Sequence, residues 1–268
     1  MIIQERDLKV LKYIFENRVT TLEQIRKLAF TDRRKTVFYR RILKLADEGY
    51  IVRTPVIAEN NRSYWNCSPN EKGLRPVSDS WPFEIDKPLF KSESPAHDIR
   101  LGDIRFKLEM LERFESFYPE NLLQSSKELA NHYLYEDLIG QQPDGALNLL
   151  LPNGGSRLFA LEFELNKKAP ERYQKKLSGY YKTDGIDGVI YICSKQDLID
   201  RIAKVDSDIR GRDRSILYFA LEQDVLSNSE KITFHHQQDP SRSLILRVRN
   251  DVQEGAFCLP TVPRGCEP

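Results

Sequence analysis

Glu162 and Glu164 stand two residues apart in an otherwise apolar run, Leu161-Glu162-Phe163-Glu164-Leu165. Side chains alternate along a strand, so both carboxylates point to one face. Burying uncompensated charge is costly, and an in-line pair of carboxylates in such a run needs a reason. Asp144 precedes Glu162 by 18 residues, at the head of the strand-like run Gly145–Leu151. The turn residues Pro152-Asn153-Gly154-Gly155 fold that run back onto Arg157–Leu165 as a hairpin. Three acidic groups brought together in this way suit Mg²⁺, a hard cation that takes carboxylate and water oxygens. The alternative is that Glu162 and Glu164 face solvent or pair with Arg157, Lys167 or Lys175.

A second set of residues suggests chemistry of another kind. Arg33, Arg34, Lys35, Arg40, Arg41 and Lys44 crowd one segment, with Thr36 and Tyr39 among them. Phe38, Ile42, Leu45 and Ala46 recur there at helical spacing, so the segment reads as a helix from Arg33 to about Glu48, capped by Thr31-Asp32 and stopped by Gly49. Two helices precede it. Residues 5–17 place Leu8, Leu11, Ile14 and Phe15 on one face, and Thr21 with Gln24 forms a capping box for the next helix. After Gly49 two β-rich runs, Tyr50–Ile57 and Ser63–Cys67, flank Asn60-Asn61-Arg62 as a hairpin with Arg62 near its tip. A basic third helix suits a DNA major groove. The candidate DNA contacts are Arg33, Arg34, Lys35, Thr36, Tyr39, Arg40, Lys44 and Arg62.

Charge supports this division. Residues 1–75 carry 16 Lys and Arg against 9 Asp and Glu, net +7, while the remainder carries 25 against 31, net −6. A basic head on an acidic body is what a nucleic-acid-binding module attached to a second domain presents. With 268 residues, 13 Phe, 12 Tyr and 2 Trp, the chain is long and aromatic enough for about two cored domains, which excludes collagen-like and mostly disordered classes. No run of about 18 apolar residues is present, so no membrane span is expected. The N-terminus has no signal-peptide core. Cys67, Cys193, Cys258 and Cys266 stand far apart without a Cys-x-x-Cys pair, which predicts reduced thiols and a cytoplasmic protein.

Further elements follow from pattern. Residues 76–95 contain four prolines and four serines and read as a linker laid over one domain. From Ala96 an amphipathic helix carries Leu101, Ile104, Leu108, Leu111 and Phe114 and is expected to end near Phe117-Tyr118-Pro119. Beyond the hairpin, a helix at Glu171–Tyr181, a strand at Gly188–Cys193, a helix at about Lys195–Lys204 and a strand at Ser215–Leu221 make an α/β core. The expected domains are 1–75, a linker at 76–95, 96–240, and a tail at 241–268.

The N-terminal third resembles the winged helix-turn-helix family, on Leu43-Lys44-Leu45-Ala46-Asp47-Glu48-Gly49-Tyr50-Ile51, Tyr64-Trp65 and Asn70-Glu71-Lys72-Gly73-Leu74. Pro143-Asp144-Gly145 followed by Glu162-Phe163-Glu164 resembles the PD-(D/E)xK nuclease superfamily. That resemblance implies a restriction-endonuclease-like α/β domain with Asp144 and Glu162 as the carboxylates that hold Mg²⁺. The superfamily's lysine falls at position 164, which is Glu here, so cleavage would need a migrated lysine from Lys167 or Lys175. Together with His97-Asp98-Ile99-Arg100 and the run Arg172-Tyr173-x-x-Lys176-Leu177-x-x-Tyr180-Tyr181, the whole arrangement is similar to the replication-relaxation family over about residues 1–205. That resemblance implies a double-stranded-DNA-binding protein of a plasmid or other mobile element, acting in the control of transcription, replication or transfer. The expectation is a homodimer that reads DNA with its winged helix beside an inactive nuclease-like domain. The alternative is a Mg²⁺-dependent endonuclease or nickase using Asp144, Glu162, Glu164 and Lys175.

Overall fold

The computed structural model describes residues 1–57, 63–82, 84–151, 154–210 and 214–249. They form two compact units, residues 1–103 with 124–128, and residues 104–123 with 129–249. The fold is mixed α+β, and none of the described helices is long and apolar enough to cross a membrane.

In the first unit, α1 (Glu5–Asn17) buries Val10, Leu11, Ile14 and Phe15 at the helical spacing of its sequence. β1 (Thr20–Thr21) follows. Thr21 then opens α2 (Leu22–Ala29) with a complete capping box, in which its hydroxyl accepts from the Gln24 N–H at 3.2 Å and the Gln24 side chain accepts from the Thr21 N–H at 2.9 Å. α3 (Lys35–Asp47) buries Phe38, Ile42 and Leu45. It starts later than expected. Its N-cap is Arg34, which makes no side-chain capping bond, so Thr31-Asp32 does not cap it. Gly49, at φ +74°, supplies the left-handed turn that ends it.

β2 (Val52–Ile57) and β3 (Ser63–Ser68) run antiparallel, and β1 pairs with the other side of β3, giving the order β1-β3-β2. The tip at Asn60–Arg62 lies outside the described residues. Pro55 sits on the edge strand β2, where a missing N–H is tolerated. Lys72-Gly73-Leu74 lies in α4 (Glu71–Ser78). Asn70 caps that helix by accepting from the Gly73 N–H at 2.8 Å.

The segment 76–95 is more tightly integrated than a linker. α4 continues to Ser78, Trp81 packs edge-on against Phe15 with ring centroids 5.6 Å apart, and Ile85 bridges Ser126. The first half of α5 (Pro95–Glu109) is held within the same unit. The Arg18 guanidinium makes two 3.1 Å contacts to Asp98, and the Gln24 side chain donates to the Ile99 carbonyl at 2.6 Å and to Asp103 at 3.0 Å.

The second unit is built on a seven-stranded sheet. β4 (Phe114–Pro119) is followed by three short helices, α6 (Glu120–Ser125), α7 (Lys127–Ala130) and α8 (Glu136–Gly140). Then come β5 (Gly145–Leu150), β6 (Ser156–Glu164), α9 (Pro170–Tyr180), β7 (Gly188–Cys193), α10 (Gln196–Arg210), β8 (Leu217–Leu221), α11 (Glu222–Val225), β9 (Lys231–His236) and β10 (Leu244–Arg247). The strand order is β10-β9-β8-β7-β6-β5-β4. β5 lies antiparallel to β4 and β6, while β6, β7 and β8 are mutually parallel through the α9 and α10 crossovers. β7 is buried along its whole length, as its unbroken apolar run requires of a central parallel strand.

Two boundaries differ from the sequence reading. α5 ends at Glu109, because Phe114–Pro119 pairs with β5 as a strand instead of continuing the helical spacing of Leu111 and Phe114. The expected tail begins inside the sheet, since β10 pairs with β9. Leu111 also bridges Val248, the Glu112 N–H donates to the Arg247 carbonyl at 2.9 Å, and the Arg249 N–H donates to the Met110 carbonyl at 2.8 Å. The chain entering β4 thus pairs with the chain leaving β10, and the sheet curls onto itself. Residues 250–268 lie outside the described chain.

Within α3 the basic side chains divide by phase. Arg41 turns inward and pairs with Asp7 of α1, Nε to Oδ1 at 2.8 Å, and Asp7 is buried at 1% exposure. Arg40, one position earlier, is exposed. Removing one partner of a buried pair strands the other charge, so Arg41→Ala should lower stability by about 3 kcal/mol. Arg40→Ala should change it by less than about 0.5 kcal/mol. Urea unfolding of the two variants gives the comparison, and equal losses would contradict this assignment.

Candidate functional site

The carboxylates of the second unit converge as their spacing requires. Glu162 and Glu164 share one face of β6, in register with Tyr191 and Cys193 on the parallel neighbour β7. Asp144 immediately precedes β5, whose first residue, Gly145, stands opposite Leu161. Its Oδ2 accepts from the Phe163 N–H at 2.6 Å, which fixes the carboxylate against the strand bearing both glutamates. Gly145 must be glycine for steric reasons, because a Cβ there would fall 2.3 Å from the Phe117 ring. Glu162 and Glu164 are 1% and 2% exposed.

α9 lies over this face and supplies the compensating groups. Its buried stripe is Tyr173, Leu177 and Tyr180. Lys176 lies three residues after Tyr173 and four before Tyr180, so its side chain flanks that stripe. Lys176 Nζ reaches Glu162 Oε1 at 2.7 Å, and the Tyr180 hydroxyl donates to the same oxygen. Lys176 Nζ also donates at 3.2 Å to the carbonyl of Gln142, a residue held at φ +51°. One ammonium therefore joins Glu162 to the loop that delivers Asp144. Lys168, on the approach to α9, pairs with Glu164 Oε1 at 2.7 Å.

Among the described residues, two polar atoms of the cluster have no hydrogen-bond partner, Glu164 Oε2 and the hydroxyl of the fully buried Tyr191. Burial pushes the Glu162 carboxyl up to about 7, opposed by Lys176 and Tyr180 and assisted by the charge of Asp144. Burial likewise raises Glu164 against the pull of Lys168. Lys176's own burial opposes its charge, but Glu162, Asp144 and Glu164 outweigh it and hold the ammonium above its ordinary value.

The lysine at the cluster is thus Lys176, and the assignment of Lys175 is corrected. Lys175 is rotated about 100° away around the helix and is exposed, as is Lys167. The expected alternatives for pairing are corrected too. Glu162 and Glu164 are held by Lys176 and Lys168, while Arg157 lies beside Asp187 at 3.8 Å. Lys176, Tyr180, Lys168 and Tyr191 were absent from the sequence-based site. The spacing Tyr173-x-x-Lys176-x-x-x-Tyr180 carried the signal for two of them.

Among the described residues, no three His, Cys, Asp or Glu side chains are grouped so as to hold a metal ion. The cation beside Glu162 is the Lys176 ammonium. The donor set of Asp144, Glu162 and the unpartnered Glu164 Oε2 is nonetheless all oxygen, the chemistry that suits a hard divalent ion.

In the first unit, Arg33, Arg34, Lys35, Thr36, Tyr39, Arg40 and Lys44 are all exposed. At 100° per residue Thr36, Arg40, Leu43 and Asp47 form the centre of the outward stripe of α3, with Lys35 and Tyr39 on one flank and Val37 and Lys44 on the other. On the hairpin, the Arg53 guanidinium stacks 4.2 Å from the Trp65 ring centre. Arg62 lies outside the described residues. Cys67 and Cys193 are free and buried.

No family model, curated protein or solved structure matches the chain.

The elevated Glu162 yields a signed pH dependence. Folding tightens its hold on a proton, so the stabilisation is full below about pH 4.5 and is lost as pH rises toward 7. Comparing wild type with Glu162→Gln by urea unfolding between those limits should show a steeper decline in the wild type, since the raised Glu164 remains in both. Parallel curves for the two proteins would remove Glu162 as its source.

Proposed function

We propose that the chain is a duplex-DNA-binding protein that reads DNA with α3 and the β2–β3 hairpin. The element order α1-β1-α2-α3 followed by a hairpin, with β1 joining the hairpin's sheet, supports a winged helix-turn-helix reading. The observation that carries the proposal is the sorting of charge on α3. Of its four basic side chains only Arg41 is drawn inward, while Lys35, Arg40 and Lys44 remain on the surface with Arg33, Arg34, Thr36 and Tyr39. Exposed cations contact phosphates, and the central positions of the stripe face base edges in a major groove. The resemblance to the replication-relaxation family extends this reading to control of transcription, replication or transfer in a plasmid or other mobile element.

A second reading, metal-dependent DNA cleavage by the other unit, is favoured by one specific observation. Lys176 brings to Glu162 the lysine that position 164 lacks. In this reading Asp144 and Glu162 hold a divalent cation, with Glu164 Oε2 as a further oxygen. Such an ion, when bound, polarises a phosphodiester and lowers the pKa of a water. Tyr180 orients Glu162, and Asp144 is kept in place by the Phe163 N–H. The Lys176 ammonium can then stabilise charge developing on phosphate oxygens.

The DNA-binding reading is tested by gel shift on duplex from the chain's own promoter or origin region. The Arg34/Arg40/Lys44 triple alanine variant should bind at least about 30-fold more weakly, equivalent to roughly 2 kcal/mol, without losing its fold. Unchanged affinity would remove α3 from the interface. The cleavage reading is tested by incubating supercoiled plasmid with Mg²⁺ or Mn²⁺. Nicking by the wild type should be lost in Asp144→Asn and Lys176→Met, and an inert wild type with either ion would rule this reading out.

A further inference from the structure

One segment of the second unit carries a strong local surplus of positive charge. Residues 166–182, the approach to α9, the helix itself and its exit, hold six Lys and Arg against the single acid Glu171, net +5. They do so within the part of the chain beyond residue 75, whose overall balance is −6. Two of the six are committed inward, Lys168 to Glu164 and Lys176 to Glu162. The other four, Lys167, Arg172, Lys175 and Lys182, are exposed, and none lies within ion-pair distance of a carboxylate among the described residues.

The geometry gives this surplus a direction. Arg172 and Lys175 are neighbours at i, i+3 on the outward side of α9, and Arg172 lies four residues from both Lys168 and Lys176. Cations therefore run along the helix from its solvent side, through Arg172, to Lys176 at the rim of the carboxylate cluster. Arg172 and Lys175, one turn apart on the helix, lie within about one screening length of each other at physiological salt, and Lys167 and Lys182 extend the charge beyond its two ends. Glu171 is the single acid among them, so a net surplus of positive charge remains, and a polyanion with regularly spaced charges is the partner that would relieve it. A nucleic-acid backbone has that form, with one phosphate per about 3.4 Å of each strand.

We propose that the exposed basic surface of α9 and the chain at its two ends, Lys167, Arg172, Lys175 and Lys182, is a second phosphodiester-binding surface. It holds the DNA backbone, without sequence preference, beside the Asp144–Glu162–Lys176 cluster. The inference rests on the DNA-binding reading above but on none of the α3 residues, so the two can be separated.

The experiment uses the full chain and fluorescence anisotropy with a labelled duplex of the chain's own origin DNA and a scrambled duplex, across a NaCl series. Four proteins are compared: wild type, Lys167/Arg172/Lys175/Lys182→Gln, the Arg34/Arg40/Lys44→Ala variant, and the combination. The glutamine variant should bind both duplexes at least about 10-fold more weakly, and its slope of log K against log salt should be shallower by about 0.9 for each lost phosphate contact. The combined variant should lose the residual binding left in the α3 variant. If the α3 variant binds like wild type while the glutamine variant does not, the α3 reading fails and this one stands. Wild-type affinity and slope in the glutamine variant overturn this proposal, and so does a wild type that binds neither duplex. Melting temperatures within about 2 °C of wild type establish that the variants fold, since all four positions are exposed. Paired variants, Lys167/Lys182→Gln and Arg172/Lys175→Gln, give the same readout with half the change.

Discussion

The burial of Glu162 is the constraint around which the second unit is arranged. A carboxylate at 1% exposure on a sheet face needs hydrogen bonds and an opposite charge. The chain between β6 and β7 supplies them, and in doing so its position is set. α9 must lie at the rotation that brings both Lys176 and Tyr180 to one oxygen. The loop before β5 must bring the Gln142 carbonyl to the same ammonium, which requires a left-handed residue at that point. Asp144 then meets the Phe163 N–H, and Gly145 passes under the Phe117 ring. Each of these follows from holding one charged side chain in a dry place. The site and the packing of the unit are the same set of contacts.

The two units use helix phase in the same way to separate structural from available charge. On α3, a shift of one residue divides Arg41, which is locked to Asp7, from Arg40, which faces outward. On α9, a shift of one residue divides Lys176, locked to Glu162, from Lys175. In both helices the apolar stripe sets the rotation, and the basic residues beside it become structural while those opposite remain free. Overall net charge cannot report this, since formal values near zero conceal two locally cationic helices.

The sequence makes most of this legible where local rules are strong. The Leu11, Ile14 and Phe15 spacing, the Thr21–Gln24 box and the β5–β6 hairpin with its glutamate pair all follow from periodicity and capping, and β7 stands where its apolar run predicts. Three features were not legible. Leu111 and Phe114 continue a helical period, but pairing with β5 makes Phe114–Pro119 a strand, and short apolar runs do not distinguish the two. Asn70 caps a helix in a segment that carries Gly73 and Pro76, and burial of Val77 against the core offsets those two poor helix formers. Lys175 and Lys176 are adjacent and chemically identical, so only the rotation of α9 decides which reaches Glu162. The tyrosines that fix that rotation were present in the sequence, but their consequence depends on the helix docking against β6.

The curled sheet also has a consequence for the order of events during synthesis. Its closing contacts join Leu111 to Val248 and the chain near Met110 to Arg249, residues from opposite ends of the second unit's sequence. The strand that completes the sheet is the last of the described strands, so the edge it covers stays open until nearly all of the unit has left the ribosome. Contacts this distant in sequence form slowly, and an open strand edge is a template for pairing with another chain. The first unit draws on residues only as far as about 128 among those described, so it can assemble while the rest is being translated. The nascent protein thus passes through a stage in which a finished head is joined to an unclosed sheet, and that interval is when it is most exposed to misassembly.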